Sequence, residues 1–338
     1  MKKTPKKIVD NWVHIPGHHC GSVAIQDVMT FGGHEYSEAL CFGLGSGLGF
    51  FYTVSDQISP TRMIFPRGPG LEVNFFSLLD KPISWSYEED PQKALEMAQK
   101  SIEQNTPVVV QTDIFYLDYY NSSTHFPGHV LVMWGFDDEK ETVFLSDTAF
   151  DGLMEVSYEN FKKARSSQSE PYPLKINWLE LSLPDTLEPL EHLIPRAIRQ
   201  NAAMMLEGAP SPRGTSSVDQ IKNWAADMPD WTSAEDWSWC ARFGYQVITK
   251  RGVDGAAFRW IYRDFLSEME KLLPHKRALN LAQRMDEIGG KWAEASSLLK
   301  DLSELEKPSP VLVGQISRLA YGLWEKEKRF YTLALENF

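Results

Sequence analysis

Near residue 185 the pattern of apolar residues changes, and this change limits what the chain can fold into. Before it, short apolar runs typical of buried strands, such as 107–112 and 129–136, alternate with helical segments. After it, long amphipathic patterns with helical periodicity continue to the end, and strand patterns are almost absent. The sequence therefore predicts an α+β domain over residues 1–184 and an all-α domain over residues 185–338.

Composition excludes several classes of protein. The chain has 338 residues, of which 43% are hydrophobic, and this is enough to build the cores of two domains. Its three cysteines, Cys20, Cys41 and Cys240, have neither the number of a disulfide framework nor the spacing of a zinc site. The net charge of −12 argues against nucleic-acid binding, which depends on neutralising phosphates with Lys and Arg.

The sequence also gives no sign of export or membrane insertion. No apolar run approaches the roughly 18 residues that span a bilayer. The basic start of the chain is not followed by the apolar core of a signal peptide. We therefore expect a cytoplasmic protein with no membrane partner. We also expect no metal ion and no bound cofactor.

The stretch 14–22, with the sequence HIPGHHCGS, places a cysteine between a turn and a helix. Pro16 and Gly17 break the chain, and apolar residues at helical spacing follow until a glycine pair ends the run. Cys20 is therefore expected at a helix N-terminus, where unpaired N–H groups and the helix dipole stabilise a thiolate. A thiolate is a nucleophile at neutral pH. The alternative is an ordinary buried cysteine in a hydrophobic core.

A cysteine nucleophile needs a base and a group that orients the base. Of the eight histidines, His129 opens an apolar strand directly after a Pro-Gly turn, and Asp147 closes the next strand. If these strands form a hairpin through a turn at 137–141, the start of the first lies beside the end of the second. The spacing therefore predicts that His129 and Asp147 meet at one edge of a sheet and serve Cys20.

Three more residues are candidates for substrate binding, and each has an ordinary alternative. Asp113 ends a predicted strand and could meet a cationic amine, or it could be a turn or helix-capping aspartate. His125 lies in the loop before His129 and could line a cleft, or it could be an exposed loop histidine. His19 adjoins Cys20, but adjacent side chains point in different directions, so it is not the preferred base.

A glycine-rich stretch at 43–49, with the sequence GLGSGLG, suggests a phosphate-binding loop. Its spacing fits neither GxGxxG nor GxxxxGK[ST], and no lysine follows it. We therefore predict that these glycines serve a close approach of two backbone segments.

Several stretches of the chain resemble one known family. Those that resemble the N-terminal domain of the butirosin biosynthesis protein H family are 18–22, 38–50 and 128–132. Those that resemble the helical domain that often follows it are 223–231 and 251–266. The resemblance implies a domain with a papain-like cysteine-peptidase fold, in which a central antiparallel sheet packs against a helix that carries the nucleophile at its N-terminus. It also implies Cys20 as the nucleophile, His129 as the base and Asp147 as the orienting acid.

The resemblance implies a function as well. The founding member of the family is an acyltransferase that moves an aminoacyl group from a carrier-protein thioester to an amine, in natural-product biosynthesis. For this chain we expect an acyl thioester donor, carried by an acyl carrier protein through phosphopantetheine, and a small amine acceptor. The helical domain would be a lid, a carrier-docking surface or a homodimer interface. The alternatives are a cysteine peptidase or amide/thioester hydrolase with the same triad, and a non-catalytic binding protein on the same fold.

One position departs from what the resemblance implies. Papain-like peptidases carry a glutamine shortly before the cysteine, and its side chain helps to stabilise the oxyanion. This chain has no glutamine before Cys20, and His14 lies in that region instead. His14 is therefore the oxyanion-hole candidate, together with the Cys20 backbone N–H, and Asn11 is another candidate donor.

Overall fold

The computed structural model describes residues 6–338 except 149, 171, 180, 182, 184, 185, 212, 213 and 252–254. It divides into two compact units, the first made of Met1–Cys41 and Asp80–Leu187, the second of Phe42–Leu79 and Glu188–Phe338. Residues 42–79, which the sequence analysis places in the first domain, thus belong to the second unit. The predicted boundary falls at 184 and 185, outside the described residues.

The secondary structure of the described residues follows the predicted alternation and then the predicted run of helices. The strands are β1 (Lys7–Ile8), β2 (Leu48–Val54), β3 (Arg62–Arg67), β4 (Ser86–Tyr87), β5 (Val108–Asp113), β6 (Pro127–Asp137), β7 (Thr142–Ser146), β8 (Met154–Ser157), β9 (Asn177–Leu179), β10 (Ala209–Ser211) and β11 (Gly214–Ser216). The helices are α1 (Cys20–Phe31), α2 (Glu38–Leu44), α3 (Leu71–Leu78), α4 (Pro91–Glu103), α5 (Tyr158–Arg165), α6 (Leu190–Glu207), α7 (Asp219–Asp227), α8 (Trp237–Tyr245), α9 (Arg259–Leu272), α10 (Leu281–Ser303) and α11 (Pro310–Asn337). Within the described ranges, no helix is long and apolar enough to cross a membrane.

The first unit is built around an antiparallel sheet. Its strands lie in the order β4-β9-β5-β6-β7-β8, and β1 pairs with the far end of β6. Alternate residues of a strand face opposite sides of a sheet. One face packs against α1 through Ala24, Val28, Val109, Val130 and Val132. The other face packs against α4 and α5 through Leu95, Ile102, Val108, Val110, Leu131 and Phe161. This mixed architecture with a central antiparallel sheet agrees with the predicted α+β class.

The hairpin of β6 and β7 sets the positions of the two residues expected to serve Cys20. In its register Val132 faces Ser146 and Asp137 faces Thr142. The Asp137 carboxylate accepts hydrogen bonds from two backbone N–H groups of the turn, at 2.9 and 3.2 Å. His129 lies at the start of β6, and Asp147 directly follows β7. The predicted hairpin is present, and it brings both residues to the same edge of the sheet.

The second unit is not all-α, because it contains the β2–β3 hairpin and the short β10–β11 hairpin. The β2–β3 hairpin belongs to this unit because the helices after residue 188 donate hydrogen bonds to its backbone and bury its side chains. The Asn201 amide donates to the Leu48 carbonyl at 2.9 Å. The Phe50 ring lies 5.9 Å from the Trp224 ring and 5.4 Å from the Trp292 ring. These contacts join residues distant in sequence, so local periodicity could not reveal them.

The glycine-rich stretch has the role that its spacing predicts. A Cβ added to Gly49 would lie 2.6 Å from the carbonyl oxygen of Arg67 and from backbone atoms of Gly68. The Gly68 N–H donates to the Gly47 carbonyl at 2.8 Å. The glycines therefore allow two backbone segments to touch where the β2–β3 hairpin begins and ends.

A buried ion pair lies inside the second unit. The guanidinium of Arg259 donates to both carboxylate oxygens of Glu327, at 3.0 and 2.9 Å, and both side chains are fully buried. The Trp292 indole N–H also donates to Glu327, at 2.6 Å, and Arg259 donates to the Pro66 carbonyl at 2.7 Å. The pair therefore links α9, α10, α11 and the end of β3.

Candidate active site

Cys20 is the first residue of α1, as predicted, and a network of hydrogen bonds fixes the turn before it. His19 is the N-cap, and its Nδ1 accepts the Ser22 backbone N–H at 3.2 Å. The Glu38 carboxylate accepts the backbone N–H groups of His18 and His19, at 3.0 and 2.7 Å. These bonds hold the N-terminus of α1, and with it the Cys20 thiol, in one position.

His129 and Asp147 form a buried, charge-assisted pair. The Nε2 of His129 lies 2.7 Å from Oδ1 of Asp147, and the two residues are 5% and 0% exposed. Because a carboxylate only accepts hydrogen bonds, the proton of this bond belongs to Nε2. The Cys20 thiol is a further hydrogen-bond partner of the His129 side chain. Since Nε2 is bonded to Asp147, Nδ1 is the ring nitrogen left for Cys20.

The electrostatics of this cluster favour a charged imidazole. Burial lowers the pKa of His129, but the charge and hydrogen bond of Asp147, together with Cys20, outweigh it and raise the pKa to about 10. Burial raises the pKa of Asp147, but the charge and hydrogen bond of His129 and the Tyr119 hydroxyl hold it below its usual range. The ring is therefore an imidazolium at neutral pH. A positive charge beside Cys20 favours its thiolate form.

The structure adds two residues that the sequence analysis does not identify. Tyr119 donates to Oδ2 of Asp147 at 2.6 Å, and Tyr120 donates to Oδ1 at 3.2 Å. Burial and the charge of Asp147 raise the pKa of both phenols far above the usual value, so both remain donors. The Phe150 ring packs edge-on against both, at 5.0 and 5.1 Å. Their only signal in the sequence is the aromatic loop before His129.

His14, the oxyanion candidate, belongs to a second His–Asp pair. Its Nδ1 lies 2.6 Å from Oδ2 of Asp27, and Oδ1 of Asp27 accepts the Ile15 N–H at 3.0 Å. Burial lowers the pKa of His14, but Asp27, the Phe150 carbonyl and the charge of Asp147 raise it overall. Its Nε2 is buried and has no hydrogen-bond partner within the described part of the chain. An oxyanion role for His14 stays a prediction.

Asp113 has the structural role that was its alternative. Its fully buried carboxylate accepts the Phe115 and Phe126 N–H groups at 3.1 and 2.8 Å. It also accepts the Ser167 hydroxyl, and it lies against Nδ1 of His125, both at 2.7 Å. These four partners show that the carboxylate organises the loop around it.

The remaining substrate-binding candidates differ in what the structure supports. His19 caps α1, so its ring nitrogen Nδ1 is used by the helix itself. His125 is held by Asp113 and stacks on the Phe115 ring at 4.0 Å, but its side chain is 37% exposed. Substrate contact by His19, Asp113 or His125 stays a prediction. Among the described residues, no group of three or more His, Cys, Asp or Glu side chains could hold a metal ion.

The His129–Asp147 pair predicts how stability depends on pH. We compare Cys20→Ala with Cys20→Ala/His129→Gln, so that no thiolate contributes. A group whose pKa is raised on folding stabilises fully below its unfolded value, here 6.5, and loses this effect as pH rises through its folded value. The difference in free energy of unfolding, from urea titrations, should thus be largest near pH 6 and shrink as the pH rises above 6.5, because Asp147 still raises the pKa of His129 when Cys20 is absent.

A third variant is the control for this prediction. Cys20→Ala/Asp147→Asn removes the charge that raises the pKa of His129. Its free energy of unfolding should therefore depend on pH as weakly as that of Cys20→Ala/His129→Gln, and more weakly than that of Cys20→Ala. If the difference in free energy of unfolding between Cys20→Ala and Cys20→Ala/His129→Gln grows with pH, the assignment of a charged imidazole is contradicted.

The first unit is thus a mixed α/β unit with a central antiparallel sheet, and an imidazole and a carboxylate pair at one end of two of its strands. Residues 19–148 match the family described as Butirosin biosynthesis protein H, N-terminal, and residues 159–333 match a Domain of unknown function (DUF4872). The chain belongs to the family in which these two domains follow one another. This family indicates a biosynthetic enzyme related to butirosin biosynthesis, a transferase of secondary metabolism. No curated protein matches the sequence.

Proposed function

We propose that this protein is a cysteine-dependent acyltransferase that forms an amide. It would move an acyl group from a thioester, carried by an acyl carrier protein or a free phosphopantetheine-like thiol, to a small amine. The observation that carries the proposal is the line Cys20–His129–Asp147, which joins a thiol at a helix N-terminus to an imidazole held 2.7 Å from a buried carboxylate. A papain-like fold is part of the proposal, and the packing of α1 on an antiparallel sheet supports it.

In the first step the Cys20 thiolate attacks the carbonyl carbon of the donor thioester. The tetrahedral intermediate places its negative oxygen near the N-terminus of α1, where the Cys20 N–H and the helix dipole stabilise it. The intermediate collapses, the donor C–S bond breaks, and the His129 imidazolium gives its Nδ1 proton to the leaving thiolate. The products are an acyl-Cys20 enzyme, a free thiol and a neutral His129.

In the second step an amine attacks the acyl-Cys20 carbonyl. Neutral His129 takes a proton from the nitrogen as the C–N bond forms, and the C–S bond to Cys20 then breaks. The amide leaves, and the thiolate–imidazolium pair is restored. Asp147 keeps the Nε2 proton in place throughout, with Tyr119 and Tyr120 fixing the carboxylate. Exchange between thioesters is nearly thermoneutral and amide formation is downhill, so the cycle needs no ATP.

The expected result is a covalent adduct on Cys20. The protein is incubated with an acyl-pantetheine thioester, and its intact mass is followed before and after an amine is added. The wild type should gain the mass of one acyl group, and the amine should discharge it at least about tenfold faster than water alone. The Cys20→Ala variant should gain nothing. The matched control is Cys240→Ser, which changes a buried thiol and should acylate like the wild type.

The same experiment distinguishes the alternatives. Discharge by water at the rate seen with amine would identify a hydrolase. An adduct that survives in Cys20→Ala would place the nucleophile elsewhere. No adduct, together with no alkylation of Cys20 by iodoacetamide, would leave a binding protein on the same fold.

A further inference from the structure

A pocket lies on the face of the sheet opposite α1, away from the helix that carries Cys20. It has a volume of about 230 Å³ and lies among α4, α5, β5 and β9. Its walls are partly apolar, from Ala98, Val108 and Trp178. Two cationic side chains, Lys100 and Arg165, also line it. Nothing in the proposed acyl transfer uses this pocket.

Arg165 has an unusual environment for an arginine. It is 2% exposed, and its Nε is buried without a hydrogen-bond partner among the residues that the structure describes. Nη1 donates to the Ala94 carbonyl over a long 3.4 Å. Burial lowers the pKa of Arg165 to about 10, so the guanidinium is still charged at neutral pH. The side chain is therefore a buried cation that lines a pocket and has unused donors.

Two features of the protein compensate for this charge in part. Arg165 is the last residue of α5, where the negative end of the helix dipole favours a cation. Its guanidinium also lies 5.3 Å from the centre of the Phe161 ring. Both effects are weak compared with the cost of removing an ion from water. Neither of them bonds the buried Nε.

Another buried arginine of the chain, Arg259, has a full set of hydrogen-bond acceptors. Arg259 is fully buried, and it meets both oxygens of Glu327 and the carbonyls of Pro66 and Ala257. Arg165 has one long bond to a carbonyl in place of this set. Within the described part of the chain, Arg165 therefore differs from Arg259 in lacking a negatively charged acceptor.

We propose that the pocket binds a small organic anion, with a carboxylate or phosphate head on a short apolar body. The head accepts hydrogen bonds from Arg165, whose planar donor groups match both kinds of oxyanion. The body lies against Ala98, Val108 and Trp178, and Lys100 adds positive charge to the wall. This site is independent of acyl transfer at Cys20.

Titration calorimetry at constant ionic strength tests the proposal with three probes: hexanoate, butyl phosphate and neutral hexanamide. The wild type should bind hexanoate or butyl phosphate with a dissociation constant of about 1 mM or tighter. Hexanamide, which has the same shape as hexanoate without its charge, should bind at least about tenfold more weakly. Binding of only one of the charged organic probes supports the proposal and identifies the head group.

Variants on α5 connect the binding to Arg165. Arg165→Met should weaken binding at least about tenfold, and it should unfold at the same temperature as the wild type or higher, because an unpaired buried charge is removed. Lys163→Met removes a charge from the exposed side of the same helix and should leave the affinity within about twofold of the wild type.

Three outcomes would overturn the proposal. The first is a wild type that binds none of the anions saturably, and the second is equal binding of hexanoate and hexanamide. The third is an equal loss of affinity in Arg165→Met and Lys163→Met, which would indicate a general charge effect. If Arg165→Met does not fold, the comparison of hexanoate with hexanamide on the wild type still decides. None of these results depends on Cys20, so the acyl-transfer proposal is tested separately.

Discussion

Replacing His129 with alanine should slow the alkylation of Cys20 by iodoacetamide at pH 6 by about 100-fold. In the proposed mechanism the imidazolium of His129, held by Asp147, favours the thiolate form of Cys20. An ordinary thiol with a pKa of about 8.5 is ionised only about one part in 300 at pH 6. The rate is measured on the Cys20 peptide by mass spectrometry, so that alkylation of the two buried cysteines, Cys41 and Cys240, is not counted.

The pH profile and a second histidine are the controls. The wild-type rate should change little between pH 6 and 9, whereas the variant rate should rise about tenfold per pH unit toward 8.5. His125→Ala removes the histidine of another His–Asp pair in the same unit and should keep the wild-type profile. A wild-type rate that rises with pH like that of a free thiol would remove the basis for an activated nucleophile.

Replacing Arg259 with methionine should lower the free energy of unfolding by about 3–5 kcal/mol. Among the described residues, the substitution leaves the buried Glu327 carboxylate with the Trp292 and Tyr331 donors, and it also removes the partner of two backbone carbonyls. Uncompensated buried charge is among the largest single causes of instability. Urea denaturation followed by circular dichroism gives the measurement.

Two matched variants distinguish the stability lost with the ion pair from the stability lost with one arginine side chain. Arg263→Met lies on the same helix and breaks a partly exposed pair with Asp264 and Asp286, so it should cost less than about 1 kcal/mol. Arg259→Met combined with Glu327→Leu removes both buried charges and should recover much of the loss. If the double variant loses as much free energy of unfolding as Arg259→Met and Glu327→Leu lose together, packing and not charge dominates.

Much of the site could be predicted from the sequence because it depends on local structure. Pro16, Gly17 and the apolar period after them define where α1 begins, and this places Cys20. Two short apolar runs separated by a charged turn define the β6–β7 hairpin, and antiparallel pairing then places His129 beside Asp147. Neither step needs information about residues distant in sequence.

The rest of the site depends on contacts that no local pattern contains. Tyr119 and Tyr120 reach Asp147 only because a loop folds back over the hairpin. Glu38 holds the turn before Cys20 from the start of another helix. A histidine is not a usual N-cap residue, so the capping role of His19 could not be inferred from residue type. For Asp113 residue type left two roles open, and only the surrounding donors reveal the capping role.

The discontinuous division of the chain has a consequence for its biosynthesis. The ribosome makes α1 first and then the β2–β3 hairpin, but the helices against which this hairpin packs come only after Glu188. Until they emerge, the aromatic side chains of β2 are without the tryptophans that bury Phe50. Folding of the second unit must therefore wait for nearly the whole chain, and the hairpin is the segment that a chaperone would have to shield meanwhile. A gene cut at the 184/185 boundary would leave that hairpin permanently without its partners.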